Sequence, residues 1–213
     1  MSRLVNRTVL ALAMWLCGAN FGVADTVKDV AIDDIQGPAT QRLPVDGFWY
    51  RGQIYDEPVY ASGIAIGTEL VVVNGGLAIS TAPGGLIALN AKVHTKPGIS
   101  ARLPSTDWSD FDLTPRPLAV WLEKPVCQLG IEFWAEDPKR ETQKGISVVV
   151  QRLDEQGGVL GQRNYRHFVG LTRVGFDATD IETDIKAVRL LPAANTGLAI
   201  VAVRARTCTL LLG

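Results

Sequence analysis

Two groups of side chains in this sequence have the types and spacing for chemistry. The first is aromatic. Phe48, Trp49, Tyr50, Tyr55 and Tyr60 crowd a span of 13 residues beside Arg51, Asp56 and Glu57, and Trp108 stands further on in an acidic loop. An aromatic ring presents a broad apolar face, and sugar sites set such faces beside polar groups. Trp49, Tyr50, Tyr55 and Trp108 are therefore candidate ligand-binding residues. The competing reading is that alternate aromatics fill a β core while the rest cap an edge; Trp121 and Trp134 read as core or rim. The second group is acidic: Asp107, Asp110 and Asp112 form the densest carboxylate cluster. Hard oxygen ligands in a loop suit calcium, so these three are candidate metal ligands. The glycine and terminal glutamate of an EF-hand loop are missing, and a solvated loop is the competing reading.

Catalytic constellations are weaker. Histidine is limited to His94 and His167, and no cluster of His, Cys and acid stands at zinc-ligand spacing. No Gly-x-Ser-x-Gly elbow occurs, and Ser80 reads as a strand end running into a turn. A glycosidase needs two carboxylates, about 5 Å apart for retention and further for inversion. Glu132 and Glu136 are four residues apart, but Trp134 stands between them and a regular strand separates such positions by about 13 Å. No catalytic residue is assigned.

The N-terminus predicts export. Arg3 and Arg7 without an acid precede the apolar run Thr8 to Cys17, and the small residues Gly22 and Ala24 follow. That is the order of a cleavable signal peptide over residues 1–24. The apolar run is shorter than the roughly 20 residues of a membrane span. A lipidated Cys17 is the alternative, but Met14, Trp15 and Leu16 are not the small residues that usually precede a lipidated cysteine. Loss of residues 1–24 from 213 leaves 189, enough for one domain with a real core. Two arginines go and no acid does, so the net charge falls from −1 to −3. That balance, with no basic tract, argues against nucleic acid. No later apolar run spans a bilayer, since Arg204 and Arg206 interrupt the last one. Cys127 and Cys208 remain, and an even count in an oxidising compartment reads as one disulfide; two separate buried thiols are the alternative.

The elements that must position these residues are strands. Residues 25–42 read as a flexible N-terminal arm and residues 43–213 as the folded domain. Candidate strands are Phe48–Ile54, Val59–Ile66, Leu70–Val73, Leu77–Ser80, Leu86–Val93, Leu118–Leu122, Cys127–Trp134, Ile146–Leu153, Val159–Tyr165, Phe168–Val174, Ile185–Leu190 and Leu198–Cys208. Between them stand turn signals such as Asn74-Gly75-Gly76 and Asp154-Glu155-Gln156-Gly157-Gly158. Many short strands at this spacing predict a sandwich or barrel. Asp177–Asp184 is the only stretch with room for a short helical turn. Alternation puts Cys127, Leu129, Ile131 and Phe133 on one face, and Ile146, Val148 and Val150 likewise.

One sequence of features has a familiar order. A glycine-marked hairpin region runs from Gly63 to Gly67, through Asn74-Gly75-Gly76, to Ser80–Pro83. Pro125-Val126 then starts a strand, Leu153–Leu160 ends another, and Val174-Gly175-Phe176 and Ile185–Leu190 follow. This order resembles the jelly-roll β-sandwich modules of bacterial exported and surface proteins, many of them similar to carbohydrate-binding modules. The resemblance, over roughly residues 60–208, implies an all-β, antiparallel β-sandwich of jelly-roll type. It also implies a structural calcium held by an acidic pair in the last strand, but Leu198–Val203 carries no acid. The expectation is an exported, periplasmic or secreted, non-catalytic binding module for a glycan or an envelope protein. The alternatives are a structural or assembly protein of the cell envelope, whose sheet edges pair with partners, and a β-sandwich hydrolase.

Overall fold

The computed structural model describes residues 28–36, 40–44, 54–81, 85–89, 98–101, 116–136, 146–166, 170–178 and 184–207. Its strands are β1 (Lys28–Asp29), β2 (Thr40–Pro44), β3 (Ile54–Tyr55), β4 (Val59–Ala61), β5 (Ile64–Gly67), β6 (Glu69–Val73), β7 (Gly76–Ser80), β8 (Leu86–Leu89), β9 (Gly98–Ala101), β10 (Leu118–Val126), β11 (Gln128–Glu136), β12 (Ser147–Leu153), β13 (Val159–Arg166), β14 (Gly170–Asp177), β15 (Ile185–Pro192) and β16 (Gly197–Arg206). A single 3-10 turn covers Ile32–Asp34.

The fold is an antiparallel β-sandwich. Sheet A runs β1-β14-β11-β16-β9-β8-β3, with β2 also on β16, and sheet B runs β13-β12-β15-β10-β5-β4. Successive long strands cross between the sheets: β10 lies in B, β11 in A, β12 and β13 in B, β14 in A, β15 in B and β16 in A. This is the jelly-roll alternation. The residues between the sheets are those that the two-residue period selects. Leu129, Ile131 and Phe133 from β11 face Val148 and Val150 from β12 and Leu118, Val120 and Leu122 from β10, all essentially inaccessible to solvent. Phe133 meets Tyr165 edge-to-face at 6.4 Å. A cation sits among them: Arg152 is fully buried, with its guanidinium 4.8 Å from the Phe176 ring centre.

Two sequence expectations are corrected. First, the stretch read as a flexible arm is built into the sandwich wherever it is described. Lys28 and Asp29 pair with Asp177 and Phe176, and Val30 N–H donates to Gly175 O at 3.0 Å. Ile32 and Ile35 are then buried against the outer face of β11, and residues 40–44 pair with β16. The physical reason is glycine. A Cβ at Gly130 would lie 2.4 Å from Ile32 Cγ1, and one at Gly175 would lie 2.4 Å from Val30 O. The bare backbone lets the strap lie flat on the sheet. Charges fasten it: Arg204 donates to Ile32 O and to Asp33 Oδ1, both at 3.1 Å. Arg163 pairs with Asp29.

Second, Val59–Ile66 is a hairpin of β4 and β5 rather than one strand. Ser62 (φ 51°) and Gly63 (φ 75°) form its two-residue turn, and Asn74 (φ 52°) and Gly75 (φ 82°) form the turn between β6 and β7. Two consecutive positive φ values give the primed turn that matches strand twist. The structure adds β9, which the sequence reading lacked. Most of Phe48–Ile54 and of the expected Asp177–Asp184 turn lies outside the described residues.

Candidate functional site

The β6–β7 hairpin lies across the outer face of sheet B. Gly67 permits the crossing, since a Cβ there would meet Ser80 O at 2.5 Å and Ile79 Cγ1 at 2.6 Å. Leu77 packs with Leu153 and Ala187 in a second small core, with Leu70 and Trp121 against it. Leu77 N–H donates to Glu155 O at 2.9 Å.

Beside this hairpin is a cleft of about 450 Å³ lined by Tyr60, Ala61, Ser62, Gly63, Trp121 and Glu123. Strand alternation places its walls. In β10, Leu118, Val120 and Leu122 point into the sandwich, so Trp121 and Glu123 point out. In β4, Val59 belongs to the core and Tyr60 points out, 62% exposed. Register aligns them: Tyr60 is opposite Ala65, and Ala65 is opposite Trp121. Two strand spacings of about 4.8 Å therefore separate the two aromatic positions; Ala65 between them is fully buried and does not line the cleft.

Trp121 is held firmly. Its indole N–H donates to Leu77 O at 2.7 Å. Lys186 Nζ lies 4.6 Å from the ring centre and donates to Glu123 O at 2.9 Å. Glu123 is fixed in turn by its N–H, which donates to Gly63 O at 2.8 Å. Its carboxylate is exposed and has no hydrogen-bond or ion-pair partner among the described residues. The cleft thus presents two aromatic walls, hydroxyls at Tyr60 and Ser62 and one carboxylate. Among the described residues its lining holds no histidine, no cysteine and no second acid. This suits stacking and hydrogen bonding.

Of the residues singled out from the sequence, Trp49, Tyr50, Trp108, Asp107, Asp110, Asp112, Cys208, His94 and His167 lie outside the described residues, as does the expected signal peptide. Tyr55 is described. It sits in β3 at the edge of sheet A, half-buried against the sandwich core, and burial raises its phenol pKa above the ordinary value. It does not line the cleft on sheet B. Glu132 and Glu136 both have structural partners. Glu132 is buried beside Arg173 Nε at 3.6 Å, and Glu136 accepts from the Trp134 indole N–H at 3.1 Å. Among the described residues no three His, Cys, Asp or Glu side chains converge as a metal site, and no helix is long and apolar enough to cross a membrane. Trp121, expected from the sequence at the core or rim, lines the cleft together with Tyr60. The alternation of Leu118, Val120 and Leu122 was the available signal, because it turns Trp121 and Glu123 outward together.

No family model matches the sequence, and no curated protein matches it. Among solved structures, a family 29 carbohydrate-binding module from Piromyces equi is similar over 80% of this chain and 93% of that one, at 8% identity and a TM-score of 0.36. A likeness at that level assigns no ligand to this chain.

Proposed function

We propose that this chain is an exported, non-catalytic β-sandwich module that binds a glycan in the cleft between Tyr60 and Trp121. The observation that carries the reading is the cleft itself: a solvent-facing tyrosine and a pinned tryptophan flank a concavity with one unengaged carboxylate. A pyranose offers a C–H face to stack on such rings and hydroxyls to donate to Glu123 and Ser62. The volume falls within the range of small-ligand sites, about 300–1,000 Å³. A glycan-array screen of the purified chain tests the class. Binding to at least one saccharide is expected, and silence across plant, microbial and host sugars would reject it.

Tyr60→Ala tests the place. Tyr60 is exposed, so its loss should leave stability within about 0.5 kcal/mol of the parent. Removing an aromatic anchor should cost about 2 kcal/mol of binding, roughly a 30-fold rise in Kd. Titration calorimetry with a sugar found on the array gives the comparison, and an unchanged Kd would move the site elsewhere.

Export bears on the cysteines. Cys127 is buried, and its sulfur lies 3.4 Å from Arg206 O, two residues before Cys208. In an oxidising compartment this reading pairs Cys127 with Cys208. Non-reducing peptide mass spectrometry of chain recovered after export should find the two peptides joined. Two free thiols would refute the bond.

A further inference from the structure

Sheet edges invite foreign strands, and proteins blunt them with charge or keep them short. Most edges here follow that rule. The outer strand β13 of sheet B carries Arg163 and Arg166 among exposed polar residues. β4 has three residues, and β1 and β3 have two each. The β6 edge does not. Its five residues read Glu69-Leu70-Val71-Val72-Val73, with no charge after the first and no proline. Val71, Val72 and Val73 are 38%, 61% and 51% exposed.

The ladder decides which backbone groups face outward. The turn at Asn74 and Gly75 makes Val73 and Gly76 the closing pair. In a two-residue hairpin that pair exchanges its hydrogen bonds, and the pattern alternates along the ladder. Val72 and Leu70 are therefore non-bonded toward β7, and their N–H and C=O groups point away from it. Leu77, opposite Val72, shows the same phase, because its N–H leaves the hairpin to reach Glu155 O and its carbonyl accepts from Trp121. Among the described residues β6 pairs with β7 alone. The hairpin is also anchored, through Leu70, Leu77 and Trp121, so the edge is presented on a fixed support.

We infer that β6 pairs antiparallel with β6 of a second copy of this chain, about a two-fold axis at Val72. In that register Val72 faces Val72, Val71 faces Val73, Leu70 faces Asn74 and Glu69 faces Gly75. No like charges oppose each other, and the central pair supplies matched outward donors and acceptors. Centring on Val71 also joins outward groups, pairing Leu70 with Val72, but sets Val73 against Glu69. Centring on Leu70 sets Val72 against Thr68 and leaves Val73 opposite Gly67. The Val72-centred register alone sets all three valines against valines, which is the self-complementarity an isologous interface requires. This pairing is independent of the glycan reading and would hold whatever the cleft binds.

The test is sedimentation equilibrium of the purified chain over a dilution series, beside Val72→Lys and Val72→Cys. A mass of two chains is expected for the parent. Val72→Lys places two ammonium groups opposite each other at the axis and should weaken self-association by about 100-fold, with an unchanged circular dichroism spectrum. Val72→Cys should cross-link the two copies on mild oxidation, because a hydrogen-bonded antiparallel pair has Cα atoms about 5.5 Å apart, within disulfide reach. A monomeric parent would overturn the inference and leave the edge to a strand of another protein. A dimer that Val72→Lys does not weaken, or a Val72→Cys chain that stays uncross-linked, would place the interface elsewhere.

Discussion

Replacing Gly130 by valine is expected to lift the N-terminal strap from sheet A and to cost about 3–5 kcal/mol of stability. The magnitude follows from what the strap buries. Ile32 and Ile35 are 3% and 0% exposed, and both touch the space where a side chain on residue 130 would go. Fully burying an isoleucine is worth about 1.5–3 kcal/mol, and both burials are lost if the segment peels away. Urea denaturation gives the free-energy change, and limited proteolysis gives its location. Cleavage near Lys28 should be slow in the parent and fast in the variant. Unchanged stability and protection would mean that the strap contributes nothing.

The alanine variants sharpen the point. At Gly130 the added methyl meets side-chain atoms only, Ile32 Cγ1 and Cδ1 and Ile35 Cδ1, so a small displacement of these side chains can relieve part of the clash. At Gly175 it meets Val30 O, a backbone atom that a rotamer change cannot move. Gly175→Ala should therefore be the more damaging of the two.

Replacing Trp121 by alanine should have the other large effect, a loss of about 3–5 kcal/mol together with loss of glycan binding. Three things end at once. The indole no longer packs against the small core of Leu77, Leu153 and Ala187. Leu77 O loses its donor. Lys186, 5% exposed, loses the ring beside its ammonium group. Trp121→Phe separates these roles. It keeps a ring but removes the N–H, so it should cost about 1–2 kcal/mol and preserve most of the binding. Thermal unfolding and calorimetry on the two variants measure both effects. Parental stability in Trp121→Ala would show that the hairpin does not rest on this ring.

These variants also mark where the sequence was legible. The inward row of Leu129, Ile131 and Phe133 could be read because a two-residue period needs no knowledge of the partner strand. The Asn74-Gly75 turn could be read because both residues tolerate positive φ. The Ser62-Gly63 turn was hidden: Ser62 takes a left-handed conformation that serine seldom adopts, so two strands looked like one. The strap was hidden for a different reason. Gly130 and Gly175 look like weak points in strands, and their use appears only when Val30 and Ile32 are laid over them. The cleft depends on register in the same way. Tyr60 and Trp121 are 61 positions apart in sequence, and only the pairing of both with Ala65 brings them to one face. The free edge at β6 was visible as a run of valines, but which edge stays open is decided by topology.

The central claim is that ligand is held between Tyr60 and Trp121. Its most direct test is amide and indole chemical-shift mapping during titration with an oligosaccharide that the array identifies. The account expects the largest shifts at Tyr60, Gly63, Glu123 and the Trp121 indole N–H, with Tyr60→Ala abolishing them at the same sugar concentration. Shifts centred instead on Trp49, Tyr50 and Trp108, with the cleft unmoved, would contradict it.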